Sequence, residues 1–395
     1  MGQAVDKVCF LIHDLRWLGG AERTFVTYIN NATRFEPVAV LVRPHLDMGH
    51  ELRRPVPLFS LEDPSDVASG GLLNRARHAL VSMAPASLVR KAHRLTVVAR
   101  DSGAGMVSAF LHKSHIIALF AKLFLQPSLR VVINVHEIDQ DLVHYHTPAN
   151  RRLLRWLARH WFPKADLIVA VAESVKRDLI ERCDVPADRI TVVHNPIDLH
   201  HIKTRAGDSV TLPAGWSREG LIVVAVGRLV KLKGFDLLLQ AFARLPDSMG
   251  ARLLIVGDGE ERAALSRAID QLSLSERVVM VGWQTNPWQY MARAHALVVP
   301  SLTEAFPNVI GEALALGLPV LATDCSGGVR EYLEDGLCGL LVPAGDVAAL
   351  ARGLERLLTD AELRQRFASR GVQRVRPFDL SNNIPAYEAA LAGVA

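Results

Sequence analysis

"HALVVPSLTEAFPNVIGEA" (295–313) has three parts. Residues 295–301 form a short apolar run with the length and β-branched content of a buried strand. Ser301–Phe306 is a polar loop, and Pro307 suits the first position of a helix, where its missing N–H would have no partner anyway. The helix is expected from Asn308 to about Leu316, with Gly317 as its stop. The same rhythm extends outward in both directions. Downstream come "PVLATD" (319–324), a helix from Val329 and "GLLVP" (339–343). Upstream lie "LIVVAVG" (221–227), a helix from Phe235, "RLLIVGDG" (252–259), a helix from Glu260 and "RVVMVG" (277–282). Continuous apolar strands alternating with helices predict a parallel sheet covered on both faces.

The first half repeats the pattern. Strands are expected at "KVCFLIH" (7–13), "PVAVLV" (37–42), "GMVSAFL" (105–111), "RVVINVH" (130–136), "ADLIVAVA" (165–172) and "ITVVHN" (190–195), and a helix in "GGAERTFVTYINNA" (19–32). Residues 43–104 resist assignment, and the polar stretch 200–219 reads as a linker. The expectation is therefore an α/β chain with two doubly wound, Rossmann-like domains, 1–205 and 206–379. A closing helix, 380–395, is expected to pack back on the first domain.

Half of the 395 residues are apolar and 22% are charged, which places the chain among globular, core-forming proteins. The four cysteines, Cys9, Cys183, Cys325 and Cys338, are scattered without metal-ligand spacing, so reduced thiols and no metal site are expected. No signal peptide and no apolar stretch of spanning length is visible, and a cytoplasmic protein is expected. Residues 1–200 carry 25 Lys and Arg against 20 Asp and Glu, and the remainder 20 against 21. That imbalance is too mild for a nucleic-acid partner, and suits an anionic membrane surface or a phosphorylated substrate.

In open α/β sheets ligands bind beyond the carboxyl ends of the strands, and the candidate chemistry falls there. The amides of Asn308, Val309 and Ile310 are expected to be unpaired at a positive helix end, which makes an anion site. Glu312, one turn in, could accept from the hydroxyls of a ribose, and Glu304 could serve whatever hangs off the far phosphate. The plainer alternative is an acid near a helix start and another in water. In "VGRLVKLKG" (226–234), Arg228 and Lys233 could clamp a diphosphate, Arg as a fork and Lys as a point charge; ordinary surface cations are the alternative. Gly19 and Gly20 would let the backbone approach a ligand at a helix start. GxGxxG is absent there, and "VGDGEER" (256–262) also lacks the last glycine, so its GxG reads as turn geometry. His136, with Glu137 behind it, ends a strand, and is either a donor to a sugar hydroxyl or a structural histidine.

Arg228 with Lys233, Glu304 with Glu312, the Gly19–Gly20 pair, His136 and "HNPID" (194–198) together resemble the family 4 retaining glycosyltransferases, from about residue 7 to the C-terminus. "ATDCSGGVREYLEDGLCGLLVPAGD" (322–346) is similar to members that build bacterial surface polysaccharides and lipid-linked oligosaccharides. The resemblance implies the GT-B fold, two Rossmann-like domains facing across a cleft. It implies a nucleotide-sugar donor, UDP-linked by expectation, and a glycan or lipid-linked acceptor, with no bound metal or cofactor. Arg228 and Lys233 would then hold the donor diphosphate, Glu312 the ribose and Glu304 the donor sugar. Gly19 and Gly20 would approach the diphosphate, and His136 would sit near the anomeric carbon or the acceptor. Two alternatives stay open: a sugar-nucleotide epimerase of the same fold, and a sugar-nucleotide-binding subunit without turnover. "RRLLRWLARHWFPK" (151–164) places Leu153, Leu157 and Trp161 on one stripe among arginines. Such a stretch suits peripheral docking at the inner face of the cell membrane, or simple packing on the sheet.

Overall fold

The computed structural model describes residues 6–15, 19–46, 51–62, 85–136, 148–213, 216, 220–325 and 328–394. The chain divides into two compact units, Met1–Pro196 with Asn383–Ala395, and Ile197–Asn382. The first carries the parallel strands β1 (Lys7–Ile12), β2 (Glu36–Leu41), β3 (Leu58–Ser60), β4 (Ala104–Phe110), β5 (Arg130–Val135), β6 (Leu167–Ala170) and β7 (Ile190–Val192). Their spatial order is β3-β2-β1-β4-β5-β6-β7. Its helices are α1 (Gly20–Asn31), α2 (Ala86–Ser102), α3 (His112–Phe120), α4 (Pro148–Trp161) and α5 (Glu173–Cys183).

The second unit carries helices α6 (Leu199–Ala206), α7 (Phe235–Phe242), α8 (Arg262–Gln271), α9 (Trp288–Met291), α10 (Asn308–Ala315), α11 (Val329–Leu333), α12 (Val347–Thr359) and α13 (Ala361–Arg374). Its strands are β8 (Ile222–Val226), β9 (Arg252–Val256), β10 (Val278–Gly282), β11 (Ala296–Val299), β12 (Val320–Asp324) and β13 (Leu340–Pro343), parallel in the order β10-β9-β8-β11-β12-β13. Each sheet reverses its winding direction once, between β1 and β4 and between β8 and β11. Those switch points are where ligands of doubly wound sheets bind.

The central strands β1 and β8 carry unbroken apolar runs because helices cover both faces; Val8 to Ile12 and Ile222 to Ala225 are each no more than 2% exposed. The last helix, α14 (Leu380–Ala392), crosses from one unit into the other along the chain. Its final residues complete the first core. Tyr387 stacks on Tyr28 with centroids 3.8 Å apart and its hydroxyl lies 2.6 Å from Ser108 Oγ. The buried Glu388 carboxylate accepts from Thr33 N at 2.6 Å, Thr33 Oγ1 at 2.8 Å and Arg34 N at 2.7 Å, which closes the chain end of α1.

One expectation is corrected, and a stretch left unassigned gains its elements. The stretch from 200 is not all linker: α6 occupies its start, because Asp198 Oδ1 caps it by accepting from His201 N at 2.8 Å and Ile202 and Ala206 are buried. Residues 43–104 contain α2 and the three-residue edge strand β3. Glu137, and the side chains of Arg151, Leu153 and Leu154, lie outside the described residues.

Candidate functional site

The second unit's site is built at its switch point. β8 delivers Gly227 and Arg228, and β11 delivers Pro300, Ser301 and Glu304. The two loops are bonded backbone to backbone, Leu302 N to Leu232 O at 2.8 Å. Gly234, at φ +64°, is needed for that approach: a Cβ there would stand 2.1 Å from Pro300 O. The pairing brings Lys233 Nζ to 2.6 Å from Glu304 Oε1, and the Ser301 hydroxyl donates to the same oxygen at 2.7 Å. Glu304 is 8% exposed, so its charge is held by these two donors rather than by water. Thr323, from β12, donates to Ser301 O and fixes the loop from below. Beside the pair, burial and the Glu304 charge push the Cys325 thiol up to about 12, so it stays neutral.

Arg228 is exposed, but its backbone is clamped. Gly227 N bonds Val256 O and Leu229 N bonds Asp258 O, each at 3.0 Å. A Cβ on Gly257 would lie 1.9 Å from Gly227 O, and one on Gly259 2.5 Å from Leu229 O. The GxG of "VGDGEER" thus lets the β9 loop press directly on the Arg228 loop. An arginine whose anchor is fixed loses less entropy when it engages an anion.

The third part is α10, an eight-residue helix. Pro307 stands at its N-cap rather than at its first position, with φ −74° and ψ 105°. The expectation of three unpaired amides is corrected: Ile310 N donates to Pro307 O at 3.0 Å, because the first turn tightens to an i→i+3 bond. Asn308 and Val309 carry the first two amides of the helix. Glu312 is 7% exposed and close enough to Tyr332 for its charge to raise that phenol well above its ordinary range, after burial itself. Gly311 leaves room for this packing, since a Cβ would meet the Tyr332 ring and hydroxyl at 3.0 Å.

The structure therefore brings Lys233 and Glu304 into direct contact, with Arg228 and Glu312 on adjoining elements of the same unit. The remaining candidates belong to the first unit. Gly19 is the N-cap of α1 and Gly20 its first residue. The space beside Gly19 is filled by the chain itself, as Glu22 Oε2 lies 2.6 Å from where its Cβ would be. His136 follows β5 and stacks on Phe110, with centroids 5.6 Å apart. Sequence reasoning missed Ser301, Thr323 and the clamping role of Gly257 and Gly259. Among the described residues no group of three His, Cys, Asp or Glu side chains could hold a metal ion, and no helix is long and apolar enough to cross a membrane.

Comparison with known proteins decides the family. Residues 19–201 match the profile described as Glycosyltransferase Family 4, and residues 214–374 that described as Glycosyl transferases group 1. The chain is 31% identical over 280 residues, 71% of its length and 74% of the relative's, to the N-acetylgalactosamine-N,N'-diacetylbacillosaminyl-diphospho-undecaprenol 4-alpha-N-acetylgalactosaminyltransferase of Campylobacter jejuni. It belongs to the family 4 glycosyltransferases. A second relative of this glycosyltransferase is LpsE of Rhizobium meliloti, a lipopolysaccharide core biosynthesis glycosyltransferase, 41% identical over 150 residues, 38% of this chain and 43% of that one. The Anabaena HepE protein, solved in complex with UDP-glucose, shares the fold: TM-score 0.77 over 98% of this glycosyltransferase and 99% of HepE, at 21% identity. The fold is accordingly GT-B, with a Rossmann-like sheet in each unit.

Proposed function

We propose that this glycosyltransferase takes its sugar from a uridine diphosphate sugar and moves it, with retention of anomeric configuration, to a lipid-linked glycan in cell-surface polysaccharide biosynthesis. The observation that carries the reading is the Lys233–Glu304 contact at 2.6 Å, seated at the switch point beside the start of α10. Departure of the nucleoside diphosphate builds negative charge on its phosphates. Fixed cations stabilise that charge as it forms without having to reorganise. Arg228 forks onto the diphosphate, and Lys233 keeps donors for a phosphate oxygen while holding Glu304. Glu304 aligns with the hydroxyls of the donor sugar. Glu312 accepts from the ribose, and the first amides of α10 face a phosphate. Retention then follows from attack on the face that the diphosphate leaves, the diphosphate taking the acceptor's proton. The roles implied for Gly19, Gly20 and His136 belong to this proposal, as does a reaction without a bound metal. Support for the donor comes from HepE, solved with UDP-glucose, and for the acceptor from the name of the Campylobacter relative.

Calorimetry with UDP and an assay of UDP release test the division of labour. Glu312→Ala should weaken UDP binding, whereas Glu304→Ala should leave it largely intact and abolish turnover. Equal loss of UDP affinity in both variants would contradict the assignment.

Docking of the first unit on the cytoplasmic face of a membrane is part of the same proposal. On α4, Trp156 is 52% exposed and stacks on His160 at 4.6 Å, and Arg152, Arg155 and Arg159 are exposed around it. Trp161 instead packs on Phe120 and Phe124, with centroids 6.3 and 6.0 Å away, so the docking residue is Trp156. Sedimentation with anionic and neutral vesicles at low salt decides it: equal amounts brought down by both would end the docking reading.

A further inference from the structure

The first unit has its own switch point, between β1 and β4, and the chemistry gathered there is not used by the donor site. His13 follows β1 directly, and Arg43, after β2, is bonded to it through Arg43 N to His13 O at 2.9 Å. Glu62 follows β3, and Lys113 stands in the first turn of α3, just after β4. Lys91 reaches in from α2, its Nζ 2.8 Å from Glu62 Oε1, while Arg43 Nε lies 3.8 Å from the same oxygen. The carboxyl ends of four neighbouring strands thus converge on three cations.

We propose that Arg43, Lys91, Lys113 and the N-terminus of α3 form a second anion site, which takes a phosphate or diphosphate group. Three observations carry it. First, among the described residues the charges do not cancel: Asp14 and Glu62 are the acids that face three cations, and His13 adds no negative charge. Burial, then Lys113, with Arg43 and Lys91 contributing and Asp14 opposing, lowers the imidazole to about 4 and keeps it neutral. Second, Glu62 already behaves as a resident counter-ion, its oxygen set between an ammonium and a guanidinium as a phosphate oxygen would be. Third, Leu111, the residue leading into α3, holds φ 68° and ψ 149°, a conformation that only glycine adopts without strain. Beside this turn, His13 Nδ1 and the fully buried Ser114 Oγ have no hydrogen-bond partner among the described residues. Arg43, 46% exposed, and Lys113, exposed, can meet a ligand from solvent, where a doubly or triply charged diphosphate outcompetes a carboxylate for the guanidinium fork.

The source of the group rests on the proposed function. A lipid-linked acceptor carries a diphosphate, and a free inorganic anion presents the same chemistry. The test is calorimetry of inorganic pyrophosphate against the full chain held saturated with UDP, at low salt. One site is expected, weakened at least tenfold by Arg43→Ala and by Lys113→Ala, tightened by Glu62→Gln and unmoved by Arg228→Ala. Tightening by Glu62→Gln separates a binding role from a structural one, since loss of a structural ion pair would not raise affinity. A short prenyl diphosphate that binds more tightly than pyrophosphate assigns the site to a lipid-borne diphosphate, and equal affinity assigns it to the free anion; in both cases the site stands. No binding to the UDP-saturated protein, or binding lost in Arg228→Ala and kept in Arg43→Ala, would overturn it. Failure of UDP itself to bind would instead count against the donor reading, and Arg43-dependent pyrophosphate binding would survive that result.

Discussion

Removal of the Lys233 charge should be worse for the fold than removal of its partner. The two side chains meet at 2.6 Å, but the Lys233 side chain is 29% exposed and the Glu304 side chain only 9%. Lys233→Met therefore leaves a buried carboxylate with Ser301 as its remaining donor. That imbalance costs about 2–3 kcal/mol, between the loss of a charged hydrogen bond and that of a fully buried ion pair. Glu304→Gln leaves an ammonium that water reaches, and the cost falls to about 1 kcal/mol. The double variant has neither charge to strand and should lie within about 1 kcal/mol of the native protein. For a unit of this size each kcal/mol moves the midpoint by about 2–4 °C, so Lys233→Met should melt roughly 4–12 °C early and the double variant should recover most of it. Scanning calorimetry and urea titration of all three variants measure the cycle. All three should fail to release UDP with acceptor present, because stability returns in the double variant and the diphosphate contact does not. Equal single costs that simply add in the double variant would refute the reasoning, since they would mean the contact carries no coupling.

Gly257→Ala, whose Cβ would stand 1.9 Å from Gly227 O at a φ of +148°, should cost about 2–4 kcal/mol and, by shifting the Arg228 loop, about 100-fold in turnover; kinetics at the native value would disprove the clamp. Glu388→Ala should destabilise the first unit by about 2–4 kcal/mol in urea titration, as it strands the amides of Thr33 and Arg34. For His13 the folded value of about 4 lies below the ordinary 6.5, so the unfolded chain takes up the proton first as pH falls. Its contribution is whole above about pH 6.5 and drains away toward pH 4. His13→Gln should therefore flatten the loss of stability across that window, and unchanged slopes in urea titrations at pH 7, 5.5 and 4.5 would show that His13 is not responsible.

The strands were readable because a parallel sheet buried on both faces demands unbroken apolar runs, and "KVCFLIH", "LIVVAVG" and "RLLIVGDG" are such runs. β3 was not, as three residues on a sheet edge carry no period. α6 hid among polar residues because its evidence is two buried positions, Ile202 and Ala206, and one cap, Asp198. Of the site, residue types and strand-end placement were legible. Contacts were not: Lys233 and Glu304 are 71 positions apart, and nothing local says that Gly234 will admit Pro300 O against its backbone. The same holds for Ile310, whose amide is taken by a turn geometry that composition does not encode. Glu22 closing over Gly19 was within reach, since an acid three positions after a helix cap often folds back on it.

The placement of α14 has a consequence for biogenesis. The aromatic stack of Tyr28 on Tyr387, and the Glu388 carboxylate under Thr33, join residues at opposite ends of the chain. On the ribosome, residues 6–196 emerge first, yet their core lacks a side until residues 383–395 have followed the whole of the second unit. The unit that is synthesised first is the last to be completed. During that interval it leaves the apolar seat of Tyr387 uncovered, which makes it the part of the nascent protein with most need of a chaperone.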